Sequence, residues 1–239
     1  MKICPARLNG AIAVLFMAGS ACFVLGSVPA YLSAVGGPVD GITYFVGSLF
    51  FTAASYAQLV QVQTPGMTPA AGRSRHTPIT LRFWNWLPRD RNWLAAITQF
   101  PGTVFFNVST LFALATNATV AVKDRHVWRP DIFGSTLFLI ASVFGILAVG
   151  RFLSVQPRSI PWRIAWLNMI GSILFMASAI VSFIVPATGE LVNVRISVVG
   201  TLLGAVCFFI GAALLFPAWT SAVAAVEPAA LPDNQGRPA

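Results

Sequence analysis

Four polar side chains inside one apolar run hold the chemistry available to this sequence. In WLAAITQFPGTVFFNVSTLFALAT, residues 93–116, the side chains of Gln99, Thr103, Asn107 and Thr110 project within about 80° of one another on a helix, and Asn117 returns to that direction. Amides and hydroxyls donate and accept hydrogen bonds without carrying charge. Such a face suits a neutral solute or a neighbouring helix. Unpaired amides in hydrocarbon are costly, so the face must meet protein or water. Pro101 adds to this by freeing a carbonyl near Ile97. One more amide, Asn168, stands within another apolar run, IAWLNMIGSILFMASAIVSFIV. Two roles are open: a hydrogen-bonded seam between helices, the preferred one because uncharged polar groups commonly join membrane helices, or the wall of a polar cavity.

Residue types suited to catalysis are few. Cys4, Cys22 and Cys207 show no metal or redox spacing. His76 and His126 fall in loops expected on opposite sides of a membrane, and no phosphate-binding or dinucleotide loop is present. Asp40, Asp124, Asp131 and Glu190 are read as solvated charges in outer loops. No enzyme activity, cofactor or metal is expected. The lack of ionisable groups in helix centres argues against proton- or sodium-coupled transport.

The elements that carry these residues follow from composition. Apolar residues make up 56% of the chain and charged ones 9%, too few to wet a soluble surface. The formal charge of +8 sits in short loops and so points to membrane topology, not to nucleic acid. Six runs approach or exceed the roughly 20 residues of a membrane-spanning helix, near 8–32, 41–62, 93–117, 131–152, 163–185 and 194–217. The expected fold is an all-α six-helix bundle in one transmembrane domain, residues 1–220, with a disordered tail at 221–239.

Basic residues set the orientation. Lys2, Arg7, Arg73, Arg75, Arg82, Arg89, Arg91, Arg151, Arg158, Arg163 and Arg237 share one side; Lys123, Arg125, Arg129 and Arg195 share the other. Both termini are therefore expected in the cytoplasm. Trp84, Trp86, Trp93, Trp162, Trp166 and Trp219 agree, lying near the cytoplasmic boundary, and only Trp128 lies outside. The N-terminus imitates a secretory or lipoprotein signal, yet its apolar run continues past Cys22 and is read as a retained helix. The loop 63–92 starts Pro- and Gly-rich, then becomes basic and aromatic in LRFWNWLPRDRNW, a composition that lies readily at an anionic lipid surface.

A short pattern recurs through the runs. G-[ST]-x-x-F starts at Gly19, Gly47, Gly102, Gly134 and Gly171, and the last run offers Gly200-Thr201 with Gly204 where Phe is expected. IAVLFMAGSACF also aligns with IAWLNMIGSILF, so the chain reads as three two-helix repeats in parallel orientation. Glycine allows close helix approach, Ser or Thr bonds nearby, and Phe fills the space one turn on. The pattern is assigned to helix packing. Its glycines lie from mid-bilayer outward, so splaying is expected toward the cytoplasm.

GSLFFTAASYAQ, the loop WNWLPRDRNWLAA, then Gln99 and GTVFFNVST resemble bacterial membrane proteins carrying the YrhK-like domain, mainly over residues 41–116. The resemblance implies a small helical membrane module in a bacterial inner membrane, without catalytic residues. The first expectation is a helix-packing or interaction protein, homo-oligomeric or accessory to another membrane protein, with the bilayer as partner. The alternative is a passive conduit or binder for a small neutral solute, lined by Gln99, Thr103, Asn107, Thr110 and Asn168.

Overall fold

The computed structural model describes residues 1–67, 77–115, 119–150 and 154–226. Expectations for Arg73, Arg75, His76, Asn117, Arg151, Arg237 and the end of the tail lie outside these residues.

Prolines and caps set the helix boundaries. Helix α1 spans Pro5–Gly26 and stops short of Leu32, where the apolar run would have carried it. Pro29 disfavours helical geometry at Val28, which is extended, and the chain restarts as the short α2, Pro29–Val35. The Ser27 hydroxyl covers the break by donating to the Phe23 carbonyl at 2.8 Å. Gly36, with φ of 79°, turns the chain into α3, Gly37–Gln63. Asp90 caps α4, Arg91–Ala113, by accepting from the backbone N–H groups of Asn92 and Trp93 at 2.8 and 3.2 Å.

The loop expected before the fourth run is helical. Residues Val120–Lys123 form α5, a π-helical turn follows at Asp124–Trp128, and α6 continues over Arg129–Val149. An Asp124–Arg129 ion pair at 2.8 Å joins its two ends. Ser159 caps α7, Ile160–Val181, and Asn193 caps α8, Val194–Ala213. The chain then continues into α9, Leu215–Val226, so helix occupies the first residues of the stretch expected to be disordered.

Five helical segments are long and apolar enough to cross a membrane: Pro5–Gly26, Gly37–Gln63, Val120–Val149, Ile160–Val181 and Val194–Ala225. The sixth long helix, α4, is not among them. Gln99, Asn107 and its other polar residues lower its hydropathy, and it packs between α3 and α6. Contacts run from α1 to α3, α3 to α4, α4 to α6, α6 to α7 and α7 to α8, and α8 returns to α1.

The loop between α3 and α4 is clipped back onto the end of α3 and onto the N-terminus. Gln63 donates to the Arg82 carbonyl at 3.1 Å, and the Arg82 N–H donates to the Thr64 hydroxyl at 3.0 Å. Strand β2, Ile79–Thr80, pairs antiparallel with β1, Lys2–Ile3, at the N-terminus. Met67 and Leu81 are buried in the core, whereas Phe83, Trp84 and Trp86 are exposed by 50%, 69% and 65%.

The centre is aromatic. Phe23, Phe51, Phe106, Phe138, Phe175 and Phe208, one from each long helix, are all buried. Ring centroids lie 5.4 Å apart for Phe23 and Phe51, 5.1 Å for Phe106 and Phe138, and 5.2 Å for Phe175 and Phe208. Phe175 also meets Phe23 and Phe106, each at 5.9 Å, and Phe208 meets Phe51 at 6.2 Å and Phe138 at 5.7 Å. Together they form a plug.

Candidate functional site

The glycines before those phenylalanines explain how six rings can converge. A Cβ added to Gly19 would stand 2.9 Å from the Gly47 carbonyl oxygen, and one on Gly47 would stand 3.1 Å from the Gly19 oxygen. Gly102 and Gly134 face each other likewise at 3.2 and 3.0 Å, and so do Gly171 and Gly204 at 3.1 and 3.0 Å. These backbone approaches leave no room for side chains. Gly200 also lies close to α7, its added Cβ falling 2.9 Å from the Leu174 oxygen, but the reciprocal partner of Gly171 is Gly204. The last helix thus reads Gly204-Ala205-x-x-Phe208, with Ala205 buried where the other helices have Ser or Thr. A pattern demanding a hydroxyl could not register it.

The polar face of α4 divides by depth. Its deeper half is a seam to α3: the Asn107 amide donates to the Thr52 hydroxyl at 2.9 Å, and Thr110 shares a hydrogen bond with Ser48 at 3.0 Å. Thr103 is fully buried and donates to the Phe100 carbonyl at 2.6 Å. Gln99 behaves differently. It lines a cavity of about 380 Å³ that also receives Asn168 from α7. The two are brought together, while Thr103, Asn107 and Thr110 are spent below.

This cavity occupies the end of the molecule where α1, α4 and α7 begin and α3, α6 and α8 end. Phe51, Phe138 and Phe208 are among its walls and form its floor. Seven residues along the chain from each plug phenylalanine lies a second ring of positions: Phe16, Gln58, Gln99, Gly145, Asn168 and, at the start of α9, Leu215. Seven residues make two turns with a drift of about 20°, so these positions face the same way as the plug from about 10 Å further out. All six line the cavity. Between the two layers stand small residues, among them Ala141, Ser142, Gly211 and Ala212, and their size is what leaves the space.

Three of the six outer positions are amides, and none of those amides has a side-chain hydrogen bond to another described residue. Nothing stands within 4 Å of a Cβ built on Gly145, so this glycine borders open space, unlike the packing glycines. Gly211 makes room for Asn168, whose Oδ1 lies 3.0 Å from where its Cβ would be. Helix α9 contributes Leu215, Ala218, Trp219 and Ala222, and the buried Trp219 indole N–H has no acceptor among the described residues. Asn9 ties α1 to the start of α9 by donating to the Leu215 carbonyl at 3.3 Å. No charged residue is among the described residues lining the cavity.

Sequence reasoning passed over Gln58, Gln61, Asn92 and Gly145, which line the same space. Gln58 and Gln61 fall near the end of α3, where polar residues are ordinary at a membrane interface. The seven-residue step from each motif phenylalanine carries the signal, but it acquires meaning only once the six phenylalanines are known to meet.

Five helices long and apolar enough to cross a membrane point to a helical membrane protein. No family model matches it, and no match was found among curated proteins or solved structures.

Proposed function

We propose that the protein spans a bacterial inner membrane as a bundle of six helices in three hairpin units and holds a small neutral molecule inside it. The observation that carries this is the uncharged cavity, with Gln58, Gln99 and Asn168 facing a common space above a phenylalanine floor. Its size falls in the ordinary range of small-molecule sites, and apolar walls with a few hydrogen-bonding groups are the usual composition of such sites. The plug favours a blind site over a conduit. Three reciprocal glycine contacts, each within one hairpin, support the repeat. The resemblance to YrhK-like proteins supplies no residue to this site.

Gly145→Leu tests the proposal. Leucine at this open position fills the chamber without meeting a packed backbone. The full chain, purified in detergent without added ligand, is expected to carry a bound small molecule detectable by mass spectrometry. The variant should elute as the same species without it. Equal content in both proteins would refute the binding function.

A second role, docking to other membrane components, draws on the exposed Phe83, Trp84 and Trp86. They sit beside Arg82 and Arg89 on a clipped loop, as an anionic lipid surface would require. The glycine faces are occupied within the chain, so they offer little to a homo-oligomer.

A further inference from the structure

The vertical order of the cavity defines the chemical class of its occupant. The chamber between the plug and the amide layer is about 10 Å deep and is bounded by phenylalanine rings and small side chains. Hydrogen-bonding capacity is concentrated above it, where Gln58, Gln99 and Asn168 carry both donors and acceptors. Gln61 and Asn92 continue the polar lining toward the mouth. An apolar solute would leave the amides unmatched, while a polar solute without a tail would leave the chamber unfilled. A carboxylate or ammonium group would meet no opposite charge among the described residues of the wall, and its desolvation would go uncompensated.

We infer that the occupant is a neutral, one-ended amphiphile. Its uncharged head, a hydroxyl or carbonyl, bonds to the Gln58, Gln99 and Asn168 layer, and a short apolar tail points down to Phe51, Phe138 and Phe208. This rests on the binding function proposed above. It adds what the site selects: a head that hydrogen-bonds without charge, at a fixed distance from a short tail. Gly145 is the position at which the chamber admits the body of the molecule, because every other helix presents a side chain at that level.

The test uses three probes of one chain length: 1-octanol, n-octane and octanoate at neutral pH. Each is added to the full chain in detergent micelles, and apparent affinity is read from the shift of the melting midpoint. Gly145→Leu is the control for effects of the probes on the micelle. The wild type should bind 1-octanol about tenfold or more tightly than n-octane or octanoate, since a buried hydrogen-bonding site rejects partners that cannot satisfy it. Gly145→Leu should respond to none of them beyond the micelle effect. Gln99→Leu combined with Asn168→Leu should abolish the preference for 1-octanol over n-octane while leaving the octane response intact.

Equal responses to 1-octanol and n-octane in the wild type, absent from Gly145→Leu, would overturn the amphiphile assignment and leave the cavity as a binding site. Binding of octanoate as tight as that of 1-octanol would overturn the neutral head. Identical responses of wild type and Gly145→Leu to all three probes would overturn both the ligand class and the binding function.

Discussion

Ser135 and Ser172 occupy the same place in the recurring pattern, directly after a close-packed glycine, and both are fully buried. Their hydroxyls differ in what they meet. Ser172 bonds to Ser142 at 2.9 Å and donates to the Phe138 carbonyl at 3.3 Å, while the Ser135 hydroxyl has no partner among the described residues. Removing a satisfied buried hydroxyl strands its partner, but removing an unsatisfied one strands nothing. Ser172→Ala is therefore expected to destabilise the protein by about 1 kcal/mol and Ser135→Ala to be neutral or slightly stabilising. Reversible unfolding in mixed micelles compares them. Two glycines give a similar contrast. Gly47→Leu would drive a side chain into Cys22, whose Cβ lies 2.7 Å from the added Cβ. It should cost about 3 kcal/mol or more, whereas Gly145→Leu should leave the folded fraction unchanged in the same assay.

At the scale of the element, α4 serves two purposes along one face. Asn107 and Thr110 join it to α3, and Gln99 opens to the cavity two turns earlier. Asn107→Leu should therefore weaken folding by about 0.6 kcal/mol, the average for such bonds in membranes. Its effect on binding should be small. Gln99→Leu should do the reverse, lowering ligand affinity while stability holds or rises, because it removes an amide that no described residue satisfies. Measuring both quantities on both variants separates the seam from the wall. Helix α9 extends the chain past the expected boundary because LFPAWTSAVAAV, though rich in alanine, holds Trp219 against the cavity. Composition alone made its last residues, 221–226, resemble a tail.

For the whole molecule, six rings packed at 5.1 to 6.2 Å close the centre. Liposomes containing the protein should therefore shrink under an osmotic step no faster than empty ones, for water and for glycerol, by stopped-flow light scattering. Orientation has a separate check. Cysteines placed at Arg82 and Glu190 should react with an impermeant thiol reagent from opposite sides of the membrane. Labelling of both from outside intact cells would overturn the expected topology.

The membrane class was legible from composition, because a chain with so few charges cannot be wetted all round. The glycine and phenylalanine pattern was legible too, since close packing demands small residues at fixed steps. Its sixth copy was not, because Ala205 meets the same need for a small buried side chain without a hydroxyl. The site was legible in part: Gln99 and Asn168 stood out as amides in apolar runs, but nothing local separates an amide that bonds a neighbour from one that faces a void. That division belongs to tertiary structure. Asn107 is paired because Thr52 lies opposite it across α3 and α4. Gln99 has no hydrogen-bond partner among the described residues because small residues on α6 and α8 leave a gap above the plug. Local sequence determines what each helix offers, and only the order in which six helices meet decides whether the offer is taken by protein or left for a ligand.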